Sequence, residues 1–142
     1  MSHHNLPQNI RELSLDDQAL AADVVDLCCF ERDRATGSLT VLICDSGGRM
    51  VQPVCIGQVP RRPAAADAGT LFAPLIGLAG ELDGGLLVAV GKPAGPIDDD
   101  DRRWHQLAID ECRHGGVRLI GAYVATLSAV TRLPDPDQLP VG

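Results

Sequence analysis

The stretch whose reading decides the fold is Gly85 to Thr126, GLLVAVGKPAGPIDDDDRRWHQLAIDECRHGGVRLIGAYVAT. Leu86 to Val90 is an unbroken apolar run, short enough for a strand buried on both faces. Gly91-Lys92-Pro93-Ala94-Gly95-Pro96 then interrupts regular structure, because the prolines lack donors and the glycines permit unusual dihedrals. Asp98 to Asp101 precede a helix whose apolar residues fall at Trp104, Leu107, Ala108 and Cys112, the spacing of one helical face. Gly115-Gly116 is placed to cap that helix, and Val117 to Ala125 resumes as a strand. The unit is strand, loop, helix, strand. Its loop lies at the carboxyl end of the first strand, where α/β folds place their sites.

Working outward, residues 1–12 read as an N-terminal arm, 13–133 as one α/β domain and 134–142 as a Pro-rich tail. His3 and His4 are solvated tail residues in this reading, and Ser14 is the expected N-cap of a short helix reaching about Ala22. Val24 to Glu31, Leu39 to Cys44 and Met50 to Gly57 read as three strands of an antiparallel meander. Asp33 to Gly37 and Asp45 to Gly48 are the turns between them, and Pro53 suits an edge. Apolar spacing predicts a helix over about 66–80, kinked or divided at Pro74, and a second over about 99–114. Ser128 to Leu133 is a last short strand. The expected class is α/β, α+β-like, with a mixed central sheet and helices packed on it.

At 142 residues and 45% hydrophobic the chain suits one domain with its own core. The formal net charge is −7, and Asp98 to Asp101 supply more than half of it. Arg61-Arg62 and Arg102-Arg103 are isolated pairs, read as solvated charge, and no long basic run offers phosphate contacts. Nucleic acid is therefore excluded as an expected partner. No apolar run reaches the roughly 18 residues of a membrane span, and the polar start lacks a signal core. The five cysteines, Cys28, Cys29, Cys44, Cys55 and Cys112, are odd in number and lack CxxC spacing. Four of them lie in apolar segments and read as buried apolar residues of a protein in a reducing cytoplasm, with a zinc site or redox sensing as alternatives. Cys28-Cys29 on a strand would point to opposite faces and not share a metal.

VLICDSGGRMVQPVCIGQVP, a helix, LLVAVGKPAGPIDDDD, a second helix and GVRLIGAYVAT together resemble the RadC-type branch of the JAB/MPN (Mov34) family. The likeness runs from about Leu39 to Ala125, and Pro93-Ala94-Gly95-Pro96 is its best local match. It implies a JAB/MPN-like, cytidine-deaminase-like three-layer architecture. It also implies a zinc held by two histidines and an aspartate, with a glutamate as general base. Those histidine positions fall on Val90 and Lys92, the serine near Asp98 and the aspartate near Asp101. Valine has no donor atom and a lysine ammonium repels a cation, so Asp101 is the remaining candidate metal ligand. Glu31 lies upstream without an assignable role. The resemblance thus implies the fold of a metalloenzyme and a degenerate site loop of Val90, Lys92, Pro93, Gly95, Asp98 and Asp101.

Other side chains add little catalytic signal. The four aspartates read as helix caps, with a Mg²⁺ or Ca²⁺ site or a charged docking patch as alternatives. Capping makes Asp101→Asn an expectedly mild change. Glu111 and His114 share a helix face as a surface pair, and His105 is expected to be exposed. Lys92 reads as an exposed loop lysine or, alternatively, an anion contact. The functional expectation is a cytoplasmic, non-catalytic interaction module that needs no cofactor, with an unknown protein partner or a homodimer. The alternative is a hydrolase or isopeptidase rearranged around Asp101, His105 and a cysteine. If the fold reading holds, Lys92 and Asp101 meet at one end of the sheet.

Overall fold

Two strands buried along their whole length form the centre of the molecule. The computed structural model describes residues 12–134. The expected arm, apart from Glu12, and the tail, apart from Pro134, lie outside the described residues. In chain order the elements are α1 (Gln18–Cys28), α2 (Glu31–Thr36), β1 (Ser38–Cys44), β2 (Met50–Gly57), α3 (Ala65–Glu81), β3 (Gly85–Gly91), α4 (Asp99–Gly115), β4 (Arg118–Ala125) and β5 (Val130–Arg132). The five strands form one mixed sheet in the order β2-β1-β3-β4-β5. Only the β3–β4 pair is parallel, joined by α4; the other pairs are antiparallel. This is a single α/β domain.

Strand alternation sorts the core into two layers. Leu39, Val41, Ile43, Leu86, Val88 and Val90 face α3 and α4, meeting Phe72, Leu75, Trp104 and Leu107. Leu42, Cys44, Leu87, Ala89 and Tyr123 face the other way, onto Ala21, Val24 and Val25 of α1. Burial on both faces explains why β1 and β3 read as continuous apolar runs.

The expected meander is reduced to the β1–β2 hairpin. Val24 to Glu31 is not a strand: Val24 and Val25 lie inside α1, and Glu31 begins α2. Ala21, Val24, Val25 and Cys28 stand at helical spacing, and packing on the sheet overrides the β preference of paired valines. Asp17 caps α1 by accepting from Ala19 N and Leu20 N, whereas the Ser14 hydroxyl donates to Asp16. The Asp33–Gly37 segment completes α2 and leaves it at Gly37, whose φ of +88° favours glycine. α3 runs unbroken through Pro74. Thr70 and Pro74 are both exposed, so water can reach the carbonyl that proline leaves without a donor. Pro53 does lie on edge strand β2. β5 is shorter than expected because Thr126 N donates to Ala129 O, closing a turn before it.

Candidate functional site

Val90 is on β3 and Lys92 directly follows its last residue, Gly91, so the two-residue spacing continues the side on which Val90 lies. Val90 packs into the α3/α4 core, and Lys92 follows it toward the start of α4. Asp98 is the N-cap of α4 and forms a reciprocal capping box with Asp101. Asp98 Oδ1 accepts from Asp101 N at 2.9 Å, and Asp101 Oδ2 accepts from Asp98 N at 3.0 Å. This satisfies backbone donors that a helix start leaves unpaired.

The Lys92 ammonium completes the arrangement. It donates to Asp101 Oδ2 at 2.6 Å, to Pro96 O at 2.6 Å and to Asp98 Oδ2 at 3.3 Å. The Lys92 side chain is 7% exposed and that of Asp101 is 0% exposed, so this is an interior ion pair. The expectation of an exposed lysine is therefore corrected, while the expected meeting of Lys92 and Asp101 is a direct contact. Asp101 Oδ1 lies 2.9 Å from Arg61 Nη2. That contact is an ion pair without hydrogen-bond alignment, because Oδ1 has no hydrogen-bond partner.

Arg61, expected as solvated charge, instead closes the site. Its Nη2 lies 2.7 and 2.6 Å from the two oxygens of Asp98. The neighbouring acids are paired as well, Asp100 with Arg62 at 3.0 Å and Asp99 with Arg102 at 3.2 Å. The loop after β2 is thereby clasped to the start of α4, and Trp104 Nε1 adds a bond to Pro60 O at 3.2 Å. The acidic run expected to cap the helix is also matched by Arg61, Arg62, Lys92 and Arg102. Only the coincidence of Arg61-Arg62 and four aspartates hinted at this, and their separation in sequence concealed it.

Burial opposes ionisation of Asp98, yet the Asp101 N–H, the Arg61 guanidinium and Lys92 outweigh it. They hold the Asp98 carboxyl well below the usual carboxylate range.

A cleft of about 450 Å³ opens beside this network. Val90, Lys92, Pro93 and Asp98 line it, together with Arg61, Val59, Trp104 and the Thr36–Ser38 segment. Gly95 belongs elsewhere, on a second groove with Ile97, Val124 and Thr126. Glu31 is exposed at the start of α2, Glu111 is half-buried and His114 is exposed. His105 corrects its expectation: it is 7% exposed, because α4 buries a face wider than its apolar stripe, including Asp101 and Ile109.

The cysteines are all free thiols. Cys29, Cys44 and Cys112 are buried and Cys28 is half-buried, whereas Cys55 is exposed on β2. Cys28 and Cys29 sit at the end of α1 rather than on a strand.

The donor set does not fit a catalytic zinc. Val90 offers no lone pair, Lys92 already places a cation against Asp101, and such a site needs about three protein ligands. Among the described residues no group of three or more His, Cys, Asp or Glu side chains is arranged to hold a metal ion. Among them, too, no helix is long and apolar enough to cross a membrane. No protein-family model matches the sequence, and no curated protein or solved structure matches it.

Proposed function

We propose that the chain is a non-catalytic interaction module, a pseudo-enzyme of the JAB/MPN type working in the cytoplasm. The observation that carries this reading is the engagement of Asp101. Its carboxylate contacts both the Lys92 ammonium and the Arg61 guanidinium, leaving no ligand set for a metal and no poised base. The mixed sheet and its two helix layers support the architecture that the sequence resemblance implied. The rival hydrolase built on Asp101 and His105 is disfavoured, since Asp101 would have to leave two cations before acting on a substrate.

Exposed apolar side chains supply surface for a partner. Leu78 on α3 and Leu82 at its C-cap are four residues apart, and Leu27 and Phe30 flank the α1–α2 junction. The partner is another protein or a second copy of the chain. Zinc titration of the purified full chain tests the reading. The expected outcome is no stoichiometric binding; one zinc per chain, lost on Asp101→Ala, overturns it.

A further inference from the structure

We propose that the Lys92 ammonium is a built-in cation, held by Asp98, Asp101 and Pro96 where the family resemblance would place a metal ion, and that the loop is shaped around it. This rests on the reading above and adds what replaces the metal. An ammonium has three donors and no acceptor, and Lys92 places those donors against three oxygens, one from the loop, one from the N-cap of α4 and one from its first turn. Two of the contacts are 2.6 Å, short even for charge-assisted bonds.

Asp98 is also held by Arg61 and the capping box, and Ile97 packs against Val124 and Leu133; the stretch that the ammonium holds by itself is the one around Pro96. Pro93 and Pro96 lack N–H groups and so cannot donate to tie the loop down, and Gly95 adopts a φ of +100°, which favours glycine. Leu127 N bonds Pro93 O at its near end. Pro96 and Asp98 are drawn back toward β3 by the ammonium. Because Lys92, Pro93, Ala94 and Asp98 also line the 450 Å³ cleft, the same cation sets one wall of it. A tethered ammonium has an effective concentration that a free ion at ordinary levels does not match. A divalent ion would have to displace this tethered ammonium to bind here.

Thermal melting of full-length variants tests this. K92M keeps the length and loses the charge, and is expected to lower the midpoint by about 5 °C or more. K92A removes three carbons and the amine, the outline of n-propylammonium. Adding that ion is expected to raise the K92A midpoint saturably, or to refold K92A if it is unfolded alone. Equimolar 1-propanol and sodium chloride are the controls, expected to do neither. A K92M midpoint within about 1 °C of wild type overturns the proposal. So does a K92A chain on which n-propylammonium does no more than the controls. Either result leaves the non-catalytic reading standing, whereas stoichiometric zinc on the wild-type chain removes that reading itself.

Discussion

Lys92 Nζ lies 2.6 Å from Asp101 Oδ2, and the same oxygen accepts the Asp98 N–H at 3.0 Å. One carboxylate oxygen therefore joins the end of β3 to the first turn of α4. A helix-capping role alone would make Asp101→Asn mild, since neighbouring acids remain. The ion pair reverses that expectation. An Asn at 101 can still accept a hydrogen bond, but it leaves the buried Lys92 ammonium facing a neutral group. The predicted cost is about 3 kcal/mol, against a few tenths for Asp99→Asn at a 98% exposed side chain. Urea unfolding of the two variants measures the contrast, and equal losses would count against the ion pair.

Acid should weaken the same network. The folded state holds the Asp98 carboxyl below its unfolded value, near 3.9 for aspartate. Stability from Asp98 is thus fully present above about pH 4 and is lost as pH falls through the lower folded value. Because the Asp98 side chain is 47% exposed, the effect is screened and modest. Asp98→Asn is predicted to flatten the stability profile below about pH 4 and leave its shape at pH 6–8 unchanged. Melting temperature against pH checks this, and parallel wild-type and variant profiles below pH 4 would refute it.

How much was legible follows from how local each signal is. Leu86 to Val90 could be read because a central strand leaves its mark on every residue, and Asp98 to Asp101 because caps act within one turn. Val24 to Glu31 misled because paired valines fit either a buried helix face or a strand, and the sheet that decides between them lies elsewhere in the chain. The burial of Lys92 and the pairing of Arg61 escape the sequence for a related reason. Each charge is matched by partners whose approach depends on the tertiary fold, across 37 residues in the case of Arg61 and Asp98. Spacing along the chain does not carry that information.

Arg34 was hidden in an apparent polar turn and is 6% exposed. Its guanidinium donates to Cys29 O at 2.7 Å, Asp26 O at 2.8 Å and Thr126 O at 3.0 Å. It also pairs with Asp26 Oδ1 at 3.0 Å. This fork ties the end of α1 and the turn after β4 to the last turn of α2. Arg34→Met is predicted to cost about 3 kcal/mol, since several buried carbonyls lose charge-assisted partners. Arg34→Lys should recover less than half, because a point ammonium does not reproduce the fork. Denaturant unfolding reads both, and a lysine variant equal to wild type would show that charge alone suffices.

Thiol chemistry gives the last prediction. Burial, with Asp45 adding to it, pushes the Cys44 thiol up to about 12. Burial, with Glu111 adding to it, does the same at Cys112, also to about 12. Neither forms appreciable thiolate near neutrality, and thiolate is the reacting species. Cys55 is exposed on β2, but desolvation raises its pKa too, with Asp33 contributing and the Thr40 hydroxyl partly offsetting it. Iodoacetamide at pH 7.5 should therefore modify Cys55 first, yet more slowly than a free cysteine in a short peptide, while Cys44 and Cys112 stay unmodified until the chain unfolds. Mass spectrometry of peptides over a time course locates the label. Cys55→Ser should remove the fastest phase, and early labelling of Cys44 or Cys112 would mean that the sheet and α4 open far more readily than their packing implies.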